Sequence, residues 1–167
     1  ENPIKVENNI LKAVSFNNEE QGPVHSEVFG IVKKNWVLLG ASSQRSDRMA
    51  AHHAFDANRR TYWQSQEDAM PHFIAIDLGD EYELKALACT PQTFHGDGMM
   101  ERGNIQISND GKNWKTVETF GFGNLINDPT PRTYPFTNPV TTRYIRVQAT
   151  GIAGNGRSVT IAELDFL

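Results

Sequence analysis

The sequence predicts an all-β fold, an antiparallel β-sandwich, on three observations. From Trp36 onward the apolar runs are short, and several alternate with polar residues at period two, as half-buried strands do. Gly, Pro, Asn and Asp break these runs every roughly eight to fifteen residues. No long helical stripe of apolar residues occurs anywhere in the chain. The 167 residues suit one domain, and 38% hydrophobic against 22% charged residues is the composition of a packed chain.

Residues 1–35 are Asn- and Glu-rich, with scattered apolar positions (Ile4, Val6, Ile10, Leu11, Val14, Phe16) and a Gln21-Gly22-Pro23 turn signal. They read as a lead-in or linker that can pack as strand on the domain. Residues 36–167 carry the sandwich. A strand over 73–78 stops at Gly79, and one over 84–90 stops at Pro91. A third over 104–108 stops at the turn Asn109-Asp110-Gly111. Strands over 114–120 and 143–148 follow, separated by a Gly/Asn/Asp/Pro-rich loop over 121–131. In the closing strand Ala162, Leu164 and Phe166 share one face, and Glu163 and Asp165 the other. Trp36, Trp63 and Trp114 stand beside turns and are expected as core plugs. Cys89, in an apolar run, is expected as a buried small hydrophobe.

Bulk properties narrow the function classes. The net charge is -4 and no stretch concentrates Lys and Arg, which argues against a nucleic-acid partner. No apolar run approaches the roughly 18–20 residues of a membrane span. The first residue is Glu1 and no signal-peptide pattern is present, so a mature or excised part of a longer precursor is expected. The sequence carries no nucleophile elbow, phosphate loop, zinc-protease helix or Cys-x-x-Cys pair, so independent catalysis is not expected.

Five separated segments, in order, resemble the discoidin or coagulation-factor C-type domain family. They are Ala41-Ser42-Ser43-Gln44, then Ala54-Phe55-Asp56-Ala57-Asn58-Arg59-Arg60-Thr61-Tyr62-Trp63, then Ile76-Asp77-Leu78-Gly79. Ile107 through Trp114 is the fourth, and Arg143-Tyr144-Ile145-Arg146-Val147 with Ile161-Ala162-Glu163-Leu164 the fifth. The likeness is nearest to the family 32 carbohydrate-binding modules. It implies a galactose-binding-like jelly-roll sandwich that binds carbohydrate: terminal galactose, N-acetylhexosamine or fucose of complex glycans. The run Lys33-Lys34-Asn35-Trp36 resembles the joint after the catalytic domain of bacterial exo-glycosidases. That implies a secreted, periplasmic or cell-surface bacterial module, with the parent-chain catalytic domain as a further partner.

Residue chemistry and resemblance meet at one loop. Asp56-x-Asn58-x-x-Thr61 offers a carboxylate, an amide or carbonyl and a hydroxyl, all hard oxygens of the kind calcium gathers. Asp and Asn also occupy such loops simply to hydrogen-bond their own backbone. The resemblance implies a structural calcium held by the His53 and Ala162 backbone oxygens, Asp56, Asn58, Thr61 and Glu163. Ala57 stands where the family usually has Gly, which predicts a strained turn if that position needs positive φ.

A sugar site needs an aromatic face and a few fixed polar groups on loops at one end of the sandwich. The expected residues are Phe94, His95, Arg102, Asn155 and Arg157, with Phe122 as a second stacking ring. Pro91-Gln92 stands where the family often has Pro-Arg, and Arg102 is a candidate replacement for that guanidinium. Two other roles compete: a protein-contact module orienting a neighbouring domain, and membrane adhesion through Met99-Met100 or Phe120-Gly121-Phe122. The acidic charge disfavours an anionic membrane.

Overall fold

The computed structural model describes residues 9–17, 20–94 and 98–167. Strands β1 (Asn9–Asn17) and β2 (Glu20–Phe29) pair antiparallel in a two-stranded sheet of their own. The lead-in thus contains strands, but they do not join the sheet of the domain. The chain then docks on the body, where the Ile31 N–H donates to the Phe166 oxygen at 3.0 Å. Ile31 and Trp36 are buried there, with the Trp36 ring 5.6 Å from Phe166 and 5.9 Å from Phe55.

The body comprises β3 (Val37–Ala41), β4 (Trp63–Gln64), β5 (His72–Thr90), β6 (Met99–Ser108), β7 (Lys115–Gly121), β8 (Arg132–Ala153), β9 (Thr160–Ile161) and β10 (Glu163–Phe166). They hydrogen-bond in the order β10-β5-β8-β6-β9-β4, with β3 added on β5 and β7 on β6. Every pairing is antiparallel except one bridge between β6 and β9. The two strands expected over 73–78 and 84–90 are one strand, β5, which bends against β8 where pairing breaks between Asp77 and Tyr82 and again between Leu84 and Ala86. Gly79 makes the first bend possible: its φ is +83°, and a Cβ there would sit 2.8 Å from the Asn35 oxygen. Such register breaks let two long strands serve both layers of the sandwich.

Ile74, Ile76, Leu78, Leu84, Leu87, Ile105, Ile145 and Leu164 fill the space between the layers. Trp63 closes one end as expected, with its indole N–H donating to the Ser43 oxygen at 2.9 Å. Trp114 departs from expectation. It is half-buried under the Arg146 guanidinium, 4.8 Å from its ring, because it precedes β7 on the outer face of the sheet. Cys89 is buried, which pushes its thiol pKa up to about 12 and removes it as a nucleophile. Met99, Met100, Phe120 and Phe122 are all buried, so none is available as a membrane spike. No helix among the described residues is long and apolar enough to cross a membrane.

Candidate functional site

The loop of Asp56, Asn58 and Thr61 leaves a 3-10 turn (Ala51–Phe55) that packs His53 against it. Asp56 Oδ1 accepts the Asn58 N–H at 2.9 Å, and Oδ2 accepts the Thr61 hydroxyl at 2.7 Å and contacts His53 Nδ1 at 2.9 Å. Burial works to raise the Asp56 pKa, but hydrogen bonds from Thr61, His53 and the Asn58 N–H outweigh it and hold the carboxyl below its ordinary value. Ala57 has φ +60°, so the conformation the family fills with Gly is imposed here on an alanine.

The last strand brings its carboxylate to this loop. Glu163 Oε1 accepts the Ala57 N–H at 3.3 Å and also holds the Lys33 ammonium, which lies 2.7 Å from Asp165 Oδ1. Glu163 is only 3% exposed, and its Oε2 has no hydrogen-bond partner. Burial pushes its carboxyl pKa up, and Lys33 pulls it partly back. An orphaned, buried carboxylate oxygen beside hard-oxygen donors fits a divalent cation. Only two carboxylates, Asp56 and Glu163, would take part, and the rest of the expected donors are neutral oxygens, which calcium accepts.

A cup of about 600 Å³ opens beyond β4, lined among others by Arg45, Tyr62, Gln64, Glu67, Gln92 and Arg157. Its two walls are stitched together. The Arg45 N–H donates to the Gln64 oxygen at 2.8 Å, Gln64 Nε2 donates to Ser158 Oγ at 3.0 Å, and the buried Ser65 hydroxyl accepts the Val159 N–H at 2.9 Å. Arg45 pairs with Glu67 at 3.0 Å at the rim, both exposed. Gln92, two residues past the end of β5, is 2% exposed, and its Nε2 donor has no partner. A buried amide left unpaired is costly and calls for an acceptor.

Of the residues expected from sequence, Asn155 and Arg157 line this cup, and Arg157 also lines an adjoining one with Arg102. Arg102 therefore does not stand in for a guanidinium at Gln92. Phe94 is 69% exposed two residues beyond Gln92 and is not part of the cup lining. His95 lies outside the described residues. Phe122 must be withdrawn as a stacking ring: it is 4% exposed, packed 5.1 Å from Phe120, because its segment turns inward after β7. Tyr62 and Gln92 were not singled out as sugar contacts. Tyr62 had a signal in its alternation with Trp63, since a plug at one position leaves its neighbour facing the other way.

A curled antiparallel sandwich with a polar cup built on its loops is the architecture of the galactose-binding-like modules. The chain belongs to the F5/8 type C domain family, whose model matches residues 39–164. Among solved structures it is similar to CBM32-3 from a family 31 glycoside hydrolase of Clostridium perfringens, at 26% identity and a TM-score of 0.74, covering 83% of this chain and 94% of that one. It is also similar in fold to the family 32 module of NanJ from C. perfringens in complex with galactose, at 23% identity and TM-score 0.68, covering 80% and 94%. Galactose oxidase of Gibberella zeae is 28% identical over 142 residues, 81% of this chain. The chain spans 20% of the length of that curated relative. It has the fold of a carbohydrate-binding module.

Proposed function

We propose that this chain is a non-catalytic carbohydrate-binding module, stabilised by calcium, of a secreted glycan-degrading enzyme. The cup between Arg45 and Arg157 receives a terminal sugar. The observation that carries the reading is Gln92: a buried amide donor with no partner, in the lining of a cup that also presents Tyr62 and Arg157. Tyr62 supplies an aromatic surface for a ring's C–H face, and the amide and guanidinium groups read its hydroxyls. That solved relatives bind galactose or a GalNAc-galactose disaccharide supports galactose or N-acetylgalactosamine as the first ligands to try. Binding then acts by raising the local concentration of a linked catalytic domain on glycan.

Calcium would be held by Asp56, Asn58, Thr61, Glu163 and the His53 and Ala162 backbone oxygens. It would supply the positive charge that Glu163 Oε2 lacks, tying the loop to the last strand. The exposed Phe16, Val14 and Val24 on the separate hairpin support a second role, contact with a neighbouring domain.

The sugar reading is tested by titrating the 15N-labelled chain with galactose, N-acetylgalactosamine, N-acetylglucosamine and fucose in millimolar calcium. Saturable shifts centred on Tyr62, Gln64, Gln92 and residues 155–158 are expected, and Gln92→Ala should weaken binding by about tenfold. If no sugar gives saturable shifts, or the shifts map elsewhere, the cup is not the binding site.

A further inference from the structure

We propose that the cup continues into a second subsite that takes an oxyanion, the carboxylate or sulfate of an acidic sugar linked to the one in the first cup. This rests on the sugar reading of the first cup. The adjoining cavity, about 490 Å³, is lined by Asp68, Met70, Arg102, Thr150, Ile152 and Arg157 among others. It shares Gly156 and Arg157 with the first, so only the loop carrying those residues separates them.

Arg102 reaches this cavity because β8 leaves room for it. A Cβ at Gly151 would fall 2.6 Å from the Arg102 Cζ, so the guanidinium lies in the space a side chain would fill. Among the described residues its one ion-pair partner is the neighbouring Glu101, at 3.5 Å with the Arg102 side chain mostly in solvent, a pairing worth little. Arg157 has no carboxylate partner among the described residues. Its backbone is held in place, because the buried His72 contacts the Arg157 backbone oxygen through Nε2 at 3.2 Å. On the other side of that ring, Ser42 Oγ meets Nδ1 at 3.2 Å and accepts the Phe73 N–H at 3.2 Å. With the Phe73 amide as donor, the Ser42 hydroxyl is free to donate to Nδ1, which makes Nε2–H the donor to Arg157.

The two cups carry the same lining charge, two arginines and one carboxylate each, and differ in how it is paired. In the first, Arg45 is answered by Glu67. In the second, the one lining carboxylate, Asp68, pairs with neither Arg102 nor Arg157 among the described residues, so both guanidinium groups stay open to an added anion. Two planar guanidinium groups with spare N–H donors suit an oxyanion. The apolar Met70 and Ile152 beside them suit the ring that carries it.

The test is calorimetric titration of the full chain with lactose, with lactobionate, which places a carboxylate on the second residue, and with N-acetyllactosamine with and without a 6-sulfate on its N-acetylglucosamine. At low salt, at least one acidic probe should bind about tenfold tighter than its neutral parent, and the ratio should fall as salt rises. Preference for lactobionate or for the sulfate tells which oxyanion fits. Arg102→Ala and Arg157→Ala should each bring the ratio close to one. Lys115→Ala, the same charge loss on distant β7, should leave it unchanged. Gly151→Ala, which displaces Arg102 without removing it, should lower the ratio too. Neutral and acidic probes of equal affinity in the unmodified chain, or a preference that survives Arg102→Ala, would overturn the second subsite while leaving the first cup standing. Failure of all four probes, together with no saturable binding of galactose, N-acetylgalactosamine, N-acetylglucosamine or fucose, would overturn both.

Discussion

Two loops in this chain look alike in sequence and differ in what they leave unsatisfied. Asp56-Ala57-Asn58 and Asn109-Asp110-Gly111 each set an aspartate beside a residue of positive φ, +60° at Ala57 and +71° at Gly111. In the second loop both carboxylate oxygens of Asp110 and the Ser108 hydroxyl are used locally. Asp110 Oδ1 accepts the Lys112 and Asn113 N–H groups at 2.9 and 2.8 Å, Oδ2 accepts the Asn113 amide at 2.7 Å, and Ser108 Oγ accepts the Asp110 and Gly111 N–H groups. The first loop closes its own hydrogen bonds as well, but a buried carboxylate from β10 arrives beside it with Oε2 unpaired. A loop's own Asp and Asn therefore do not mark a cation site. The calcium proposal rests instead on the distant carboxylate, because the cost of burying it is what a cation would offset.

The largest expected effect separates the loops by metal. Calcium at about a hundred times its dissociation constant stabilises by about 2.7 kcal/mol, on the order of a 5–10 °C rise in melting temperature for a chain of this size. Glu163→Gln, which keeps the shape and removes the charge, should abolish that rise, whereas Asp110→Asn should leave it intact. Differential scanning calorimetry with calcium and with chelator checks both. Lys33 sharpens the comparison, since its ammonium already neutralises part of Glu163 and Asp165. Lys33→Met should lower the calcium-free melting temperature and enlarge the calcium increment. An equal calcium response in Glu163→Gln and the parent would mean that β10 takes no part in a metal site.

The next effect is in the backbone. Ala57→Gly should stabilise by about 1 kcal/mol, because glycine enters the left-handed region without the alanine's steric cost. Gly111→Ala should destabilise by a similar amount. A Cβ at Gly111 would touch Leu39 Cδ1 at 3.5 Å, an ordinary contact, so the penalty would be conformational and not a clash. Melting shifts of about 2–4 °C in opposite directions are expected. If Ala57→Gly is neutral, other contacts of the loop compensate its strain.

The difference between what sequence conveys and what it hides follows the same line. Period-two alternation and turn chemistry are local, so β6, β7 and the closing segment could be read directly, as could the burial of Trp63 and Cys89. The sequence signals two strands where β5 is one, because Gly79 marks a stop, while continuity depends on pairing with β8, a partner far along the chain. The sequence misleads at Phe122 for a related reason. An aromatic in a Gly-rich loop looks exposed until Phe120 and the core are placed against it. Arg157 and Asn155 were legible as polar residues of an end loop. The unpaired amide of Gln92 was not, because burial and a missing partner do not exist until the walls of the cup meet.

The smallest effect is in acid, and it still tells the loops apart. Asp110 is held far below the ordinary carboxylate range, first by the Asn113 and Lys112 N–H groups. For Asp56 burial opposes the lowering, so the depression is a balance won by Thr61, His53 and the Asn58 N–H. A carboxyl whose folded pKa lies below its unfolded value contributes stability that is present above that unfolded value, 3.8 here, and is lost as pH falls through the folded one. Both loops should therefore weaken in acid, Asp56 before Asp110. Carboxyl 13C titration of the calcium-free chain should show Asp56 protonating at the higher pH, and Asp110→Asn should flatten the lowest-pH part of the melting-temperature profile. Should Asp110 titrate first, the hydrogen bonds that close its turn would be weaker in solution than their geometry implies, and the two loops would be less different than their contacts make them.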